Sequence, residues 1–98
     1  MMKQLGSLES RMKAMKEEIS KITAEGSSGA GLVSVTLNGE YQVQKFSINP
    51  VIIEKSEKDT MEVLIQSAFN DASQKIKKIS EEFMMRELQN SGLGGVKN

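Results

Sequence analysis

Cysteine is absent from the 98 residues, so disulfide stapling and thiolate metal sites are excluded. Histidine is absent too, which removes the usual general base and the commonest metal ligand. Neither charge predominates: thirteen basic residues face thirteen acidic ones. That balance neither advertises nor excludes a nucleic-acid partner, since a local basic patch can sit on a neutral chain. The longest aliphatic run, Val51-Ile52-Ile53, is far too short to span a membrane. Met1-Met2-Lys3-Gln4 leads straight into an amphipathic pattern with no apolar signal-peptide core, so a cytoplasmic protein is expected. With no carboxylate cluster at metal-ligand spacing either, the chain reads as a non-enzyme without cofactor, metal or small-molecule substrate.

What is present is helical periodicity. From Ser56 to Leu88 the apolar residues fall at Met61, Ile65, Ala68, Phe69, Ala72, Ile76, Ile79 and Phe83, and from Ile65 onward they hold one stripe of a long helix. Ser56 and Asp59 are spaced as a capping box. At 1.5 Å per residue such a helix is roughly 45–50 Å long. A compact domain of this size has a radius of gyration near ~13 Å, so the helix should overhang its domain. An overhanging apolar stripe needs a partner. At the other end of the chain, Met1, Leu5, Leu8, Met12, Met15, Ile19 and Ile22 repeat in steps of four and three, the seam of a coiled coil. Its methionines read as gap-filling core rather than a ligand surface. Glu9, Lys13, Glu17 and Lys21 form an alternating ladder on the outer surface of this helix. The two seams assign Leu8, Met12, Met15, Ile76, Ile79 and Phe83 to the interface of a homodimer.

Between the helices the period shortens to two. Gly26-Ser27-Ser28-Gly29-Ala30-Gly31 reads as a flexible turn; it lacks the Lys-Ser/Thr of a phosphate loop. Val33, Val35 and Leu37 then share one strand face, and Asn38-Gly39 is a hairpin turn in which both residues tolerate positive φ. On the return, Tyr41 and Val43 lie in one frame and Phe46 and Ile48 in the other, which predicts a bulge near Gln44-Lys45. A third short strand over Ile22 to Gly26 could pair with the Leu32 strand. Asn49-Pro50 ends the sheet, and Val51-Ile52-Ile53 is expected to plug one end of the core. The expected organisation is a single α+β domain over 1–98 in two layers: helix 1–21, antiparallel sheet 22–49, long helix 56–88 and flexible tail 89–98.

Polar residues on the long helix call for explanation. Asn70 and Asp71 lie beside the apolar stripe, where a hydrogen bond to a neighbouring turn or a dimer partner is the simplest role. Lys75, Lys77 and Lys78 cluster, with Arg86 further on; Lys75, Lys78 and Arg86 share one flank. On the first helix Arg11 and Lys16 flank the seam on opposite sides. By residue type alone these could be a solvated face, since Lys77–Glu81 and Lys78–Glu82–Arg86 are spaced for i,i+4 pairing. There is little aromatic interleaving for base stacking.

The succession Ala24-Glu25-Gly26, then Gly29 through Gly39 (GAGLVSVTLNG), Phe46-Ser47-Ile48-Asn49-Pro50, Ala68-Phe69-Asn70-Asp71-Ala72 and Gly92-Leu93-Gly94 resembles the YbaB/EbfC family of bacterial nucleoid-associated proteins over nearly the full length. It departs where Asn49 replaces a common Asp and Val51-Ile52-Ile53-Glu54-Lys55 replaces a Ser-Leu-Leu stretch. The resemblance implies a helix, a three-stranded antiparallel sheet and a long helix, assembled as a tweezer-shaped homodimer. It further implies binding of double-stranded DNA in the nucleoid, with roles in nucleoid organisation and gene regulation. Helix geometry then nominates Lys75, Lys77, Lys78 and Arg86 for phosphate contact, followed by Lys3, Arg11, Lys13 and Lys16. The competing reading is a coiled-coil protein-interaction module without DNA binding.

Overall fold

The computed structural model describes the backbone of residues 2–90 and the side chains of residues 7–90. The elements run α1 (Met2–Ser20), β1 (Thr23–Ser28), β2 (Val33–Asn38), β3 (Val43–Ile48), α2 (Pro50–Lys55) and α3 (Lys58–Asn90). This is an α+β arrangement: a helix, three antiparallel strands in the order β1-β2-β3, and a long C-terminal helix. Lys3, expected at a phosphate, and Met1 and Leu5, expected in the seam, lie outside the described side chains. The expected tail beyond Asn90 lies outside the described residues.

β2 decides the core. Its β-branched and aliphatic residues alternate with polar ones, so Val33, Val35 and Leu37 face α3 and are completely buried, while Ser34 and Thr36 lie on the opposite face. Ala68, Ala72 and Ile76 of α3 close over them. Two alanines at this spacing leave a shallow strip on the helix, and Gly26 of β1 fits under it. A Cβ on Gly26 would collide with the Ala72 backbone nitrogen and the Ala68 carbonyl oxygen. Gly26, Ser27 and Ser28 are therefore strand residues, not part of a flexible turn. The turn itself is shorter, Gly29-Ala30-Gly31, with all three residues at positive φ.

The β2–β3 hairpin differs from the expected two-residue turn. Neither Asn38 nor Gly39 adopts positive φ; Tyr41 does, at 62°. Asn38 organises a longer loop: its Oδ1 accepts the Glu40 and Gln42 N–H groups at 2.9 and 3.0 Å, and its carbonyl accepts the Tyr41 N–H at 2.9 Å. Glycine is needed at 39 because the Ile19 carbonyl oxygen at the end of α1 occupies the place of a Cβ. The bulge is where the phase change put it. Leu37 pairs with Val43 and Thr36 with Lys45, so Gln44 is the extra residue. It brings Val43 onto the same face as Phe46 and Ile48.

The capping box at Ser56 does not form. Ser56 instead closes α2, its N–H donating to the Ile52 carbonyl, and the Glu57 carbonyl accepts the first helical bond of α3 from Met61. α2 is capped by Asn49, whose Oδ1 accepts the Val51 N–H at 3.0 Å, with Pro50 in the first turn where no N–H is required. Asp would cap equally well. Of the three aliphatic residues that follow, Ile52 alone is buried; Val51 and Ile53 remain exposed.

α3 outruns the sheet. Thirty-three residues span roughly 50 Å, and the molecule measures 63 × 28 × 16 Å with a radius of gyration of 18.8 Å. The part of α3 beyond Ile76 and the helix α1 form a prong that projects from the sheet.

Candidate nucleic-acid interface

Where α3 crosses the sheet, its polar residues are used for structure. Asp71 Oδ2 accepts the Ser27 N–H at 3.0 Å, and Lys75 Nζ donates to the Glu25 carbonyl at 3.0 Å. The two side chains also pair with each other, at 3.3 Å. Together they occupy the backbone groups on the outer edge of β1. The Ser27 N–H, aided by the Lys75 ammonium, holds the Asp71 carboxyl below its ordinary pKa. Farther toward the start of α3, Ser28 Oγ donates to the Leu64 carbonyl at 2.5 Å. Lys75, nominated for phosphate contact, thus has a structural engagement that its charge alone did not reveal.

Lys77, Lys78 and Arg86 are free of such ties. They stand exposed on the prong, and none makes an ion pair with another described residue. The i,i+4 spacing to Glu81 and Glu82 permitted pairing that the structure does not contain. Lys78 and Arg86 border one shallow surface hollow with Glu81, Glu82, Met85 and Gln89. Lys77 is not part of that hollow. On α1, Arg11, Lys13 and Lys16 are all exposed; Arg11 turns toward α3. Acidic residues interleave with every one of these cations, so the prong offers separate positive points rather than a continuous basic face.

The apolar residues nominated for a dimer divide. Ile76 has no accessible surface: it is a core residue under its own sheet and has nothing to offer a partner in this fold. Its position in the stripe was legible, but the stripe turns from sheet to solvent within α3. Leu8 and Met12 are 51% and 60% exposed and Ile79 38%, while Met15 and Phe83 are half-buried. Leu8, Met12, Met15, Phe83 and Leu88 line an open groove of about 370 Å³ between α1 and the far part of α3.

A second apolar surface was not nominated from the sequence. Val43 and Phe46 pair with Leu37 and Val35 and lie on the helix side of the sheet, yet they are 48% and 45% exposed. α3 covers β1 and β2 and stops short of β3. The bulge was the available signal, since it alone places both residues on one face.

No group of three or more His, Asp or Glu side chains among the described residues is arranged to hold a metal ion, and no described helix is long and apolar enough to cross a membrane. By class this is an α+β protein: a three-stranded antiparallel sheet backed by one long helix, carrying a helical prong with exposed cations. The chain belongs to the YbaB/EbfC DNA-binding family, whose profile matches residues 1–91. It is 39% identical over 94 residues to a nucleoid-associated protein of Nitrobacter hamburgensis, covering 96% of this chain and 87% of that one. It is 37% identical over 86 residues to a nucleoid-associated protein of Granulibacter bethesdensis, covering 88% and 80%. An uncharacterised protein of Helicobacter pylori, HP0035, shares the fold with a TM-score of 0.73 at 22% identity, over 87% of this chain and 89% of that one.

Proposed function

We propose that this protein binds double-stranded DNA as a homodimer and acts in the nucleoid as an architectural and regulatory protein. Family membership supports DNA as the partner, and the nucleoid-associated relatives support the location. The observation that carries the reading to particular residues is the pair Lys78 and Arg86, exposed, without an ion pair among the described residues and grouped around one hollow on a prong that extends past its sheet. Such cations meet backbone phosphates and position a duplex by charge. Lys77 and Lys13 supply further exposed cations on the same prong. The apolar face of β3, with Val43 and Phe46 half exposed, supports a homodimer, because a second copy would remove both from water.

A gel shift of the double variant Lys78→Gln/Arg86→Gln on unrelated duplexes across a salt series tests the assignment. Each lost phosphate contact flattens the slope of log K against log salt by about 0.9. A dimer carries both changes twice, so a clear loss is expected with an unchanged circular dichroism spectrum. Parental affinity and slope in the folded variant would move the site away from these residues.

A further inference from the structure

The first half of the α1 seam is left uncovered by its own chain: Leu8 and Met12 are more than half exposed along the open groove, while Met15 and Ile19 are half-buried. The charges beside the seam identify what covers it. Arg11 and Glu18 line the groove on one side of the seam. Glu9 and Lys16 each follow a seam residue, Leu8 and Met15, and so stand on the other side. Two copies of α1 laid antiparallel with Met12 of one against Met15 of the other also bring Leu8 against Ile19. In that register Arg11 of each copy faces Glu18 of the other, and Glu9 faces Lys16. Every flanking pair is of opposite sign. A parallel arrangement does the reverse, setting Arg11 beside Lys16 of the other copy on both sides.

We propose that α1 is a self-pairing site: the α1 helices of two copies pack antiparallel in the Met12–Met15 register, with Arg11–Glu18 and Glu9–Lys16 pairs across the seam. The occupant of the groove is a second copy of this chain, selected by charge complementarity. This contact is separate from the β3 face, so a molecule that uses both joins more than two chains and holds together the prongs of neighbouring dimers. Arg11 and Lys16 then serve pairing rather than phosphate contact.

Because the chain has no cysteine, single thiols report the register directly. Met12→Cys and Met15→Cys proteins, one carrying a mass tag, are oxidised separately and as a mixture, without DNA. Disulfide formation requires Cα atoms within about 7 Å, so antiparallel pairing gives the cross-variant disulfide well above either same-variant product. Predominance of same-variant product, or no product in protein of native circular dichroism, overturns the proposal. Repeating the trap in a Phe46→Asp background reads α1 pairing apart from the β3 contact; the cross-variant product persists if the site is independent, and its loss overturns that independence. In sedimentation, Glu18→Arg weakens self-association about tenfold, and Arg11→Glu/Glu18→Arg restores it by exchanging the charges. Unchanged association of Glu18→Arg, or failure of the double exchange to restore it, also overturns the register.

Discussion

The Asp71 carboxylate accepts the Ser27 backbone N–H at 3.0 Å, across 44 residues of sequence. An acid in the middle of the long helix thereby closes the edge of β1, with Lys75 occupying the Glu25 carbonyl beside it. Edge strands expose unpaired backbone groups that invite another chain. Here one edge is blocked by two side chains and the other, β3, is left open with apolar residues beside it. Only the β3 side of the sheet therefore keeps a free edge with apolar residues beside it.

The pH dependence follows from the direction of the Asp71 shift. Its pKa is lower in the folded chain than the unfolded value near 3.8, so its contribution to stability is complete above that value. The contribution is lost as pH falls through the folded pKa. Thermal melts of the parent should therefore decline below about pH 4. Asp71→Asn should melt lower than the parent at neutral pH and show a flatter acid limb. Parallel acid limbs would remove Asp71 from this role.

Gly26→Ala should destabilise the fold by about 1–3 kcal/mol or more, because the new methyl meets helix backbone and not a flexible side chain. Urea unfolding measures it. An unaffected midpoint would mean that α3 does not sit this close to β1.

Lys75 and the Lys78/Arg86 pair should separate by readout. Lys75→Gln loses the Glu25 and Asp71 contacts, so it should lower the melting temperature and leave the salt slope of DNA binding near the parental value. Lys78→Gln/Arg86→Gln should change the slope and spare the melting temperature. A flattened slope for Lys75→Gln at unchanged stability would return Lys75 to the DNA surface.

Ile76→Ala removes a side chain with no accessible surface and should cost about 2–5 kcal/mol in chemical unfolding, at any protein concentration. Phe46→Asp behaves differently: being half exposed, it should spare the secondary structure and lower the mass seen in sedimentation at a given concentration. A dimer unaffected by Phe46→Asp would place the interface elsewhere.

The alternation in Val33, Val35 and Leu37, the period of the two long helices and the Gln44 bulge were legible because they depend on neighbours in sequence. So was the family, since turn residues such as Asn49-Pro50 are fixed by local backbone chemistry. The end of α2 was not: Ser56 has the right spacing for either a capping box or a C-cap, and the backbone bond to Ile52 decides. The division of one apolar stripe, with Ile76 under the sheet and Ile79 partly in solvent, is likewise set by where the sheet ends. Charge gives Lys75 and Lys78 the same reading in sequence. Position tells them apart, because a strand edge lies within reach of Lys75 and none lies within reach of Lys78. The amino-acid sequence by itself determined the two long helices, the β2 and β3 strands and the bulge between them, through local sterics and hydrophobic period. Only the tertiary structure decided which apolar and which cationic residues were left to meet a partner, because burial and hydrogen bonding are shared between residues far apart in the chain.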